Sequence, residues 1–186
     1  MRRCCAVLLL FVFVIASFSV YAGGNKAQSI PLFIYGNVLD TDGLNGYLEQ
    51  VCSKAFPDLK SVEMVQIVPD ENGMMILTVY LTTHDSGVCI IPRDVFNSLV
   101  FSGCLLPLEE DEELMASVGN DDLTRGWGFI GNEIHLCGIP LELLPGANQY
   151  LNVEDGFVCA FAGDADPEDV KTFLRILYQD FKEQTK

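Results

Sequence analysis

Gly87-Val88-Cys89-Ile90-Ile91-Pro92-Arg93-Asp94-Val95-Phe96-Asn97-Ser98-Leu99-Val100-Phe101-Ser102-Gly103 carries the clearest structural signal in the chain. Val88 to Ile91 is an unbroken apolar run, too short for a helix and suited to a strand covered on both faces. Pro92 has a fixed φ and no N–H to lose, which suits the first turn of a helix. Val95, Phe96, Leu99 and Val100 then recur at helical spacing, and Gly103 falls where a C-terminal cap glycine belongs. A buried strand running straight into an amphipathic helix is the building unit of an α/β sheet.

The same unit appears upstream. Ile30 to Val38 (IPLFIYGNV) reads as a strand with Gly36-Asn37 at its end. Asp40 or Asp42 can cap a helix from Gly43 to Phe56, with Leu44, Tyr47, Leu48, Val51, Cys52 and Ala55 at i, i+3, i+4 spacing. Phe56-Pro57-Asp58 ends it, because the residue before proline is pushed out of the helical region. Val62 to Val68 alternates as a strand, and Pro69 to Gly73 is a turn cluster. Met74 to Thr83 fits two patterns. Met74, Leu77 and Leu81 make a helical face, while Thr78, Val79, Tyr80, Thr82 and Thr83 favour a strand.

Downstream, the acidic run Glu109 to Glu113 predicts a solvated face or loop. Trp127 to Leu136 predicts a hairpin turning at Gly131-Asn132. Tyr150 to Val153 and Phe157 to Phe161 predict a second hairpin around Glu154-Asp155-Gly156. The chain closes on a strong helix: Asp166 as cap, Pro167 at the first position, Glu168 and Asp169 at the positive end, and an apolar face of Val170, Phe173, Leu174, Leu177, Tyr178 and Phe181. The order predicts an α/β fold: a three-layer-like sheet with N-terminal strand–helix–strand units, β-hairpins and a C-terminal helix. Leu44, Leu48, Val51, Phe96, Leu99, Phe173, Leu174 and Leu177 are expected against a sheet containing Ile34, Val65, Ile67, Cys89 and Ile90.

Residues 1–22 have the three-part layout of a signal peptide: Arg2-Arg3, the apolar stretch Ala6 to Val20, and Val20-Tyr21-Ala22 before Gly23. The apolar stretch is shorter than the roughly 20 residues that span a bilayer. Residues 23–29 read as a flexible lead-in and 30–186 as a single domain. Cleavage removes two of the eleven basic residues and no acid, taking the formal charge from −15 to −17. A field of that sign repels nucleic acid and anionic membrane surfaces, which excludes both as main partners. Export places the mature chain in the periplasm, at the cell surface or outside. Five cysteines survive cleavage: Cys52, Cys89, Cys104, Cys137 and Cys159. The number is odd and the spacings fit no zinc framework. They read as core thiols, with one or two bridges as the alternative that export permits.

No nucleophile elbow, phosphate loop or H-E-x-x-H motif is present. The two histidines are His84 and His135. His135 and Cys137 share a strand face, a pairing that suits packing more than catalysis. Asp164-Ala165-Asp166 lacks the further ligands of a calcium loop and is better explained by helix capping. Neither a metal nor a cofactor is expected. Trp127, the single tryptophan, stands among Arg125, Gly126 and Gly128, either as a stacking platform for a ring-shaped ligand or as a hairpin anchor.

Four segments carry a family resemblance. They are the strand, helix and Phe56-Pro57-Asp58 corner leading to Val62–Val68; the Asp85 to Ile91 strand with Asp94-x-Phe96-x-x-Leu99-x-x-x-Gly103 and Leu105-Leu106-Pro107-Leu108; Gly138-Ile139-Pro140-Leu141; and the Asp166-Pro167-Glu168-Asp169 helix start. Together they resemble extracellular solute-binding proteins of bacterial ABC importers, the periplasmic-binding class. That family has two lobes with ligand between them, and this chain has room for one, so the resemblance implies a shortened, single-lobe member. It implies a secreted, non-enzymatic protein that captures a sugar-like or peptide-like solute for an ABC permease. The alternative is a secreted module that binds a protein or cell-wall partner and no small ligand. A small hydrolase is a third class.

In open α/β sheets ligands lie beyond the carboxyl ends of the parallel strands. This points to Tyr35, Gly36 and Asn37 at the end of the first strand, and to Pro92 to Asp94, Asp94 above all, after the Val88–Ile91 strand. Trp127 is the aromatic available to close over a bound ring. The expected mature N-terminus is Gly23. Intact mass of material exported by a secretion-competent host checks it, and a retained Arg2-Arg3 end refutes it.

Overall fold

Strand alternation divides the buried apolar residues of the central sheet between two cores. The computed structural model describes residues 29–57, 61–83, 87–119, 121–161, 163 and 166–183. The expected signal peptide, His84 and Asp164-Ala165 lie outside the described residues. The main sheet contains β1 (Ser29–Tyr35), β3 (Ser61–Ile67), β4 (Gly87–Pro92), β7 (Ile139–Pro140) and β9 (Gly156–Phe161), in the order β3-β1-β4-β9-β7. β1 is parallel to both β3 and β4, whereas β9 runs antiparallel to β4 and to β7. Ile30, Leu32, Ile34, Val88, Ile90, Val158 and Ala160 face one core. Phe33, Tyr35, Cys89, Ile91, Phe157, Cys159 and Phe161 face the other.

Helices cover both faces, as a sheet without a polar face requires. On the first lie α1 (Thr41–Ala55), through Leu44, Leu48, Val51 and Cys52, and the C-terminal helix, Pro167–Glu183, through the six apolar residues the periodicity picks out. Each such buried side chain is worth about 1.5–3 kcal/mol of transfer free energy. On the second face lie α2 (Gly73–Thr82), through Leu77, and α3 (Arg93–Ser102), through Val95, Phe96, Leu99 and Val100. The caps are those expected. Asp40 accepts from Gly43 N at 2.9 Å and Asp166 from Glu168 N at 3.0 Å, and Gly103 takes a left-handed φ of 71°. This is the α/β three-layer arrangement of the sequence reading, and the eight helix residues expected in the core are all buried. Val65 differs: it is only half-buried, because β3 is the sheet's edge strand.

Three other local expectations change. Met74 to Thr83, which fits two patterns in the sequence, is helical as far as Thr82. The Thr78 and Thr82 hydroxyls donate to the carbonyls of Met74 and Thr78, at 2.7 and 2.9 Å, which lets a helix carry these threonines. The acidic run is not all loop: Asp111 caps α4 (Glu112–Val118) and is buried, accepting from Leu114 N at 3.0 Å and from Arg175 Nη1 at 3.2 Å. A helix start needs an acceptor for its orphan N–H groups, and a carboxylate between two helices supplies one. The second predicted hairpin does not form. β8 (Leu151–Asn152) pairs with β2 (Asn37–Val38), beyond Gly36, while β9 joins the main sheet. All six residues of β9 are buried, so it has no solvent face to offer a free-standing hairpin. The first hairpin does form, from β5 (Trp127–Ile130) and β6 (Glu133–Leu136).

The C-terminal helix, α5, is held at its far end by a polar cluster. Lys182 Nζ donates to Asp121 Oδ2 at 2.7 Å and to the Tyr178 hydroxyl at 2.8 Å, and that hydroxyl donates to Asp121. The hydrogen bonds from Lys182 and Tyr178 hold the Asp121 carboxyl below its ordinary value. A depressed carboxylate adds stability above the unfolded value, near ~4, and loses it as pH falls through the lower folded one. Asp121→Asn is therefore expected to lower the urea midpoint at pH 7. It should also flatten the wild-type loss of stability below about pH 4. Parallel acid limbs for the two proteins would contradict this.

Candidate functional site

The carboxyl end of β4 turns directly into α3, and the turn entering β9 arrives at the same end because Pro92 lies opposite Gly156. Between them is a cleft of about 500 Å³, lined by Pro92, Arg93, Asp94, Asn97, Glu154 and Asp155. Pro92 is extended, at φ −71° and ψ 164°, so α3 begins at the cleft floor with no side-chain cap. A second cavity of about 330 Å³ lies on the other side of the Glu154–Asp155 turn, among Arg125, Leu141, Glu142, Asn148 and Asn152.

Asp155 divides the two. It has a positive φ of 48°, a conformation that aspartate tolerates better than most residues. Its carboxylate accepts from Arg93 Nε and from Nη2, the latter at 3.1 Å, and meets Arg125 Nη2. Arg125 Nη1 reaches Glu142 at 2.7 Å, while its buried Nε has no partner. Both guanidinium carbons lie 5.7 Å from the centroid of the Phe157 ring, which stacks on Phe96 at 4.3 Å and 10°. Two arginines distant in sequence are thus fixed on one aromatic floor, where a flat cation is attracted to the ring face.

Asp94 lines the larger cleft. Tyr35 lies at the same sheet end but is buried. Its hydroxyl is pushed above the usual tyrosine value by burial first, then by the charges of Asp94 and Asp70. Gly36 is packed beneath the β8–β9 turn: a Cβ there would stand 2.7 Å from Val153 Cγ2. Asn37 is exposed and pairs with Asn152, which lines the smaller cavity. Trp127 is not among the lining residues of either; it sits 42% exposed at the start of β5, opposite Leu136. The structure therefore gathers Tyr35, Gly36 and Asp94 at one sheet end and leaves Trp127 outside the lining. Sequence reasoning pointed to Pro92 to Asp94, Arg93 among them, and missed Asn97, Glu154 and Asp155. Their signal was positional, since Pro92-Arg93 and Asp155-Gly156 flank the two strands that meet there.

His135 Nδ1 lies 2.7 Å from Glu109 Oε1, and Nε2 faces Glu133 at 3.6 Å. Cys137 instead donates to the His135 carbonyl at 3.4 Å, so its thiol is not aimed at the imidazole. Burial pushes that thiol up to about 11, away from the reactive thiolate. Among the described residues no three acidic, histidine or cysteine side chains converge as metal ligands, and no helix is long and apolar enough to cross a membrane.

No protein-family model matches the chain, and no curated protein matches it. Among solved structures it is similar to an extracellular solute-binding protein, family 1, from Alicyclobacillus acidocaldarius, at 14% identity and a TM-score of 0.46. The match covers 62% of this chain and 28% of that one. The similarity is partial and does not place the chain in that family.

Gly126 holds Arg125 and Trp127 in place. Its carbonyl accepts from Cys137 N and Gly138 N at 2.9 and 3.2 Å, and a Cβ on it would lie 1.8 Å from the Gly138 carbonyl oxygen. Gly126→Ala is expected to cost about 1–3 kcal/mol, as overpacking does. Equilibrium urea unfolding checks it, and an unchanged midpoint would mean that this backbone approach is dispensable.

Proposed function

We propose that the chain is a secreted, non-enzymatic binding protein that takes a small polar solute in the cleft between α3 and the Glu154–Asp155 turn. The observation that carries this reading is the cleft itself. It lies beyond the carboxyl end of β4, a strand of the parallel set, where α/β sheets hold ligands, and its volume suits a small molecule. Its donors and acceptors are mixed: the Asn97 amide, the Arg93 guanidinium and the Asp94 and Glu154 carboxylates. Arg93 is already engaged by Asp155, which leaves an acidic excess. That excess favours a neutral polyol or a group bearing an ammonium, such as a sugar or a short peptide, over an anion. Delivery of the solute to an ABC permease is what the sequence resemblance adds.

A second reading rests on a separate observation. The outer face of the β5–β6 hairpin presents Trp127, Phe129 and Ile134 to solvent, while Gly128 on the inner face packs against Val100 of α3. An exposed apolar face of this kind favours a protein or cell-wall partner.

Titration calorimetry against monosaccharides, oligosaccharides, amino acids and short peptides separates the two. Binding of at least one solute is expected, weakened roughly tenfold by Asp94→Asn or Asn97→Ala, the effect of losing one good polar contact, and unchanged by Phe129→Ser. Heat from no member of the panel would remove the solute reading and leave the hairpin face.

A further inference from the structure

The five cysteines of the described chain are not equivalent. Cys52 lies on the buried side of α1, on the far face of the sheet from the other buried thiols. Cys104 is half-buried, close to the Ser102 hydroxyl at 3.1 Å. Cys137 lies just past β6 and donates to the His135 carbonyl. Cys89 and Cys159 share a core with Cys137 and Cys104, but they alone occupy directly opposite positions of the antiparallel β4–β9 ladder, and both are fully buried. Opposed residues in such a ladder have Cα atoms about 4.5–5.5 Å apart. That is within the span a disulfide bridges, and the strand pairing has already brought the two Cβ atoms to the same face.

We infer that Cys89 and Cys159 are a disulfide site, closed when the chain folds in the presence of a disulfide-bearing oxidant and left as two core thiols when it does not. The chemistry is exchange. One cysteine thiolate attacks the oxidant's S–S bond, forming a mixed disulfide and expelling one thiol. The second thiolate attacks the protein sulfur of that mixed disulfide, forming the Cys89–Cys159 bond and expelling the other thiol. Two protons and two electrons leave the protein, and one oxidant disulfide becomes two thiols.

The timing follows from burial. Desolvation holds the Cys159 thiol well above its ordinary value, so attack in the folded state is slow. The pair is accessible before β9 docks, and the completed bond is then shielded from reductants by the same core. Gly138 completes that core, since a Cβ there would lie 2.8 Å from the Cys159 sulfur. The bond would also join positions about 70 residues apart in sequence, across the junction between the parallel and antiparallel parts of the sheet. Loops of that length gain most from cross-linking.

The test is to unfold the chain in its expected mature form, from Gly23 onward, in guanidinium with dithiothreitol, remove the dithiothreitol, and refold in mixed reduced and oxidised glutathione. Iodoacetamide then blocks free thiols before peptides are mapped without reduction. The expected map joins the Cys89 and Cys159 peptides with loss of two hydrogens and leaves Cys52, Cys104 and Cys137 alkylated. The thermal midpoint of the oxidised protein should fall by roughly 5–15 °C on reduction. In Cys89→Ala neither the link nor the reduction-dependent shift should appear; Cys159→Ala serves if that variant does not fold. Alkylation of both cysteines in refolded wild type, or a link from either to any other cysteine, overturns the inference.

Discussion

The pairing of β4 with β9 is the constraint on which the rest of the molecule hangs. β1, β3 and β4 form a parallel set, β9 and β7 run the other way against β4, and this ladder is where the two parts of the sheet meet. Neither strand has a polar face: five of the six residues of β4 and all six of β9 are buried. Two adjacent strands of that kind cannot face water on either side, so helices must cover both. α1 and α5 supply one cover and α2 and α3 the other, each through an apolar stripe set by its own periodicity.

The same ladder fixes the site. Because β9 is antiparallel, the turn before it arrives at the end where the parallel strands finish and where α3 begins. A parallel strand in that position would place its entering turn at the opposite end of the sheet. The cleft is thus a consequence of topology, and its walls rest on packed elements. Phe157, the second residue of β9, stacks on Phe96 of α3 and has two guanidinium groups near its ring. Arg93 and Arg125 reach it from segments that share no local pattern, and Asp155 ties them together. These ion pairs are largely exposed, so each alone contributes about 0–1 kcal/mol; their role is to set the shape of the turn.

The legible parts of the sequence were those in which one short segment decides its own state. Pro92 and Gly103 bracket α3, Asp40 and Asp166 cap their helices, and the C-terminal helix is written in its spacing. The failures share a different character. Met74 to Thr83 was undecided because its threonines satisfy their hydroxyls on helical carbonyls, which depends on backbone geometry and not on residue type. Asp111 sat in a run of acids that looked wholly solvated, yet Arg175, distant in sequence, made it a buried cap. The predicted 150–161 hairpin failed because β9 had a better partner in β4 than in its neighbour. The site was read by the same rule and with the same limit. Sheet topology pointed to Asp94, which lines the cleft, and to Tyr35 and Gly36, which are packed at the same sheet end without lining it; Asp155 joins the cleft and Arg125 the neighbouring cavity only through contacts that cross the fold.

The cleft and the hairpin face are separate surfaces with opposite chemistry, and both depend on α3. Its N-terminal turn presents Arg93, Asp94 and Asn97 to the cleft, whereas Val100 near its C-terminus carries the inner face of the hairpin through Gly128. Glycine at 128 is what lets strand and helix approach so closely, since a Cβ there would stand 2.4 Å from Val100 Cγ1. Held down in this way, β5 has to turn Trp127 and Phe129 to solvent, because strand alternation leaves them only the other face. Their exposure therefore follows from how the hairpin is seated on α3. A helix only ten residues long thus sets the floor of one surface and the orientation of the other.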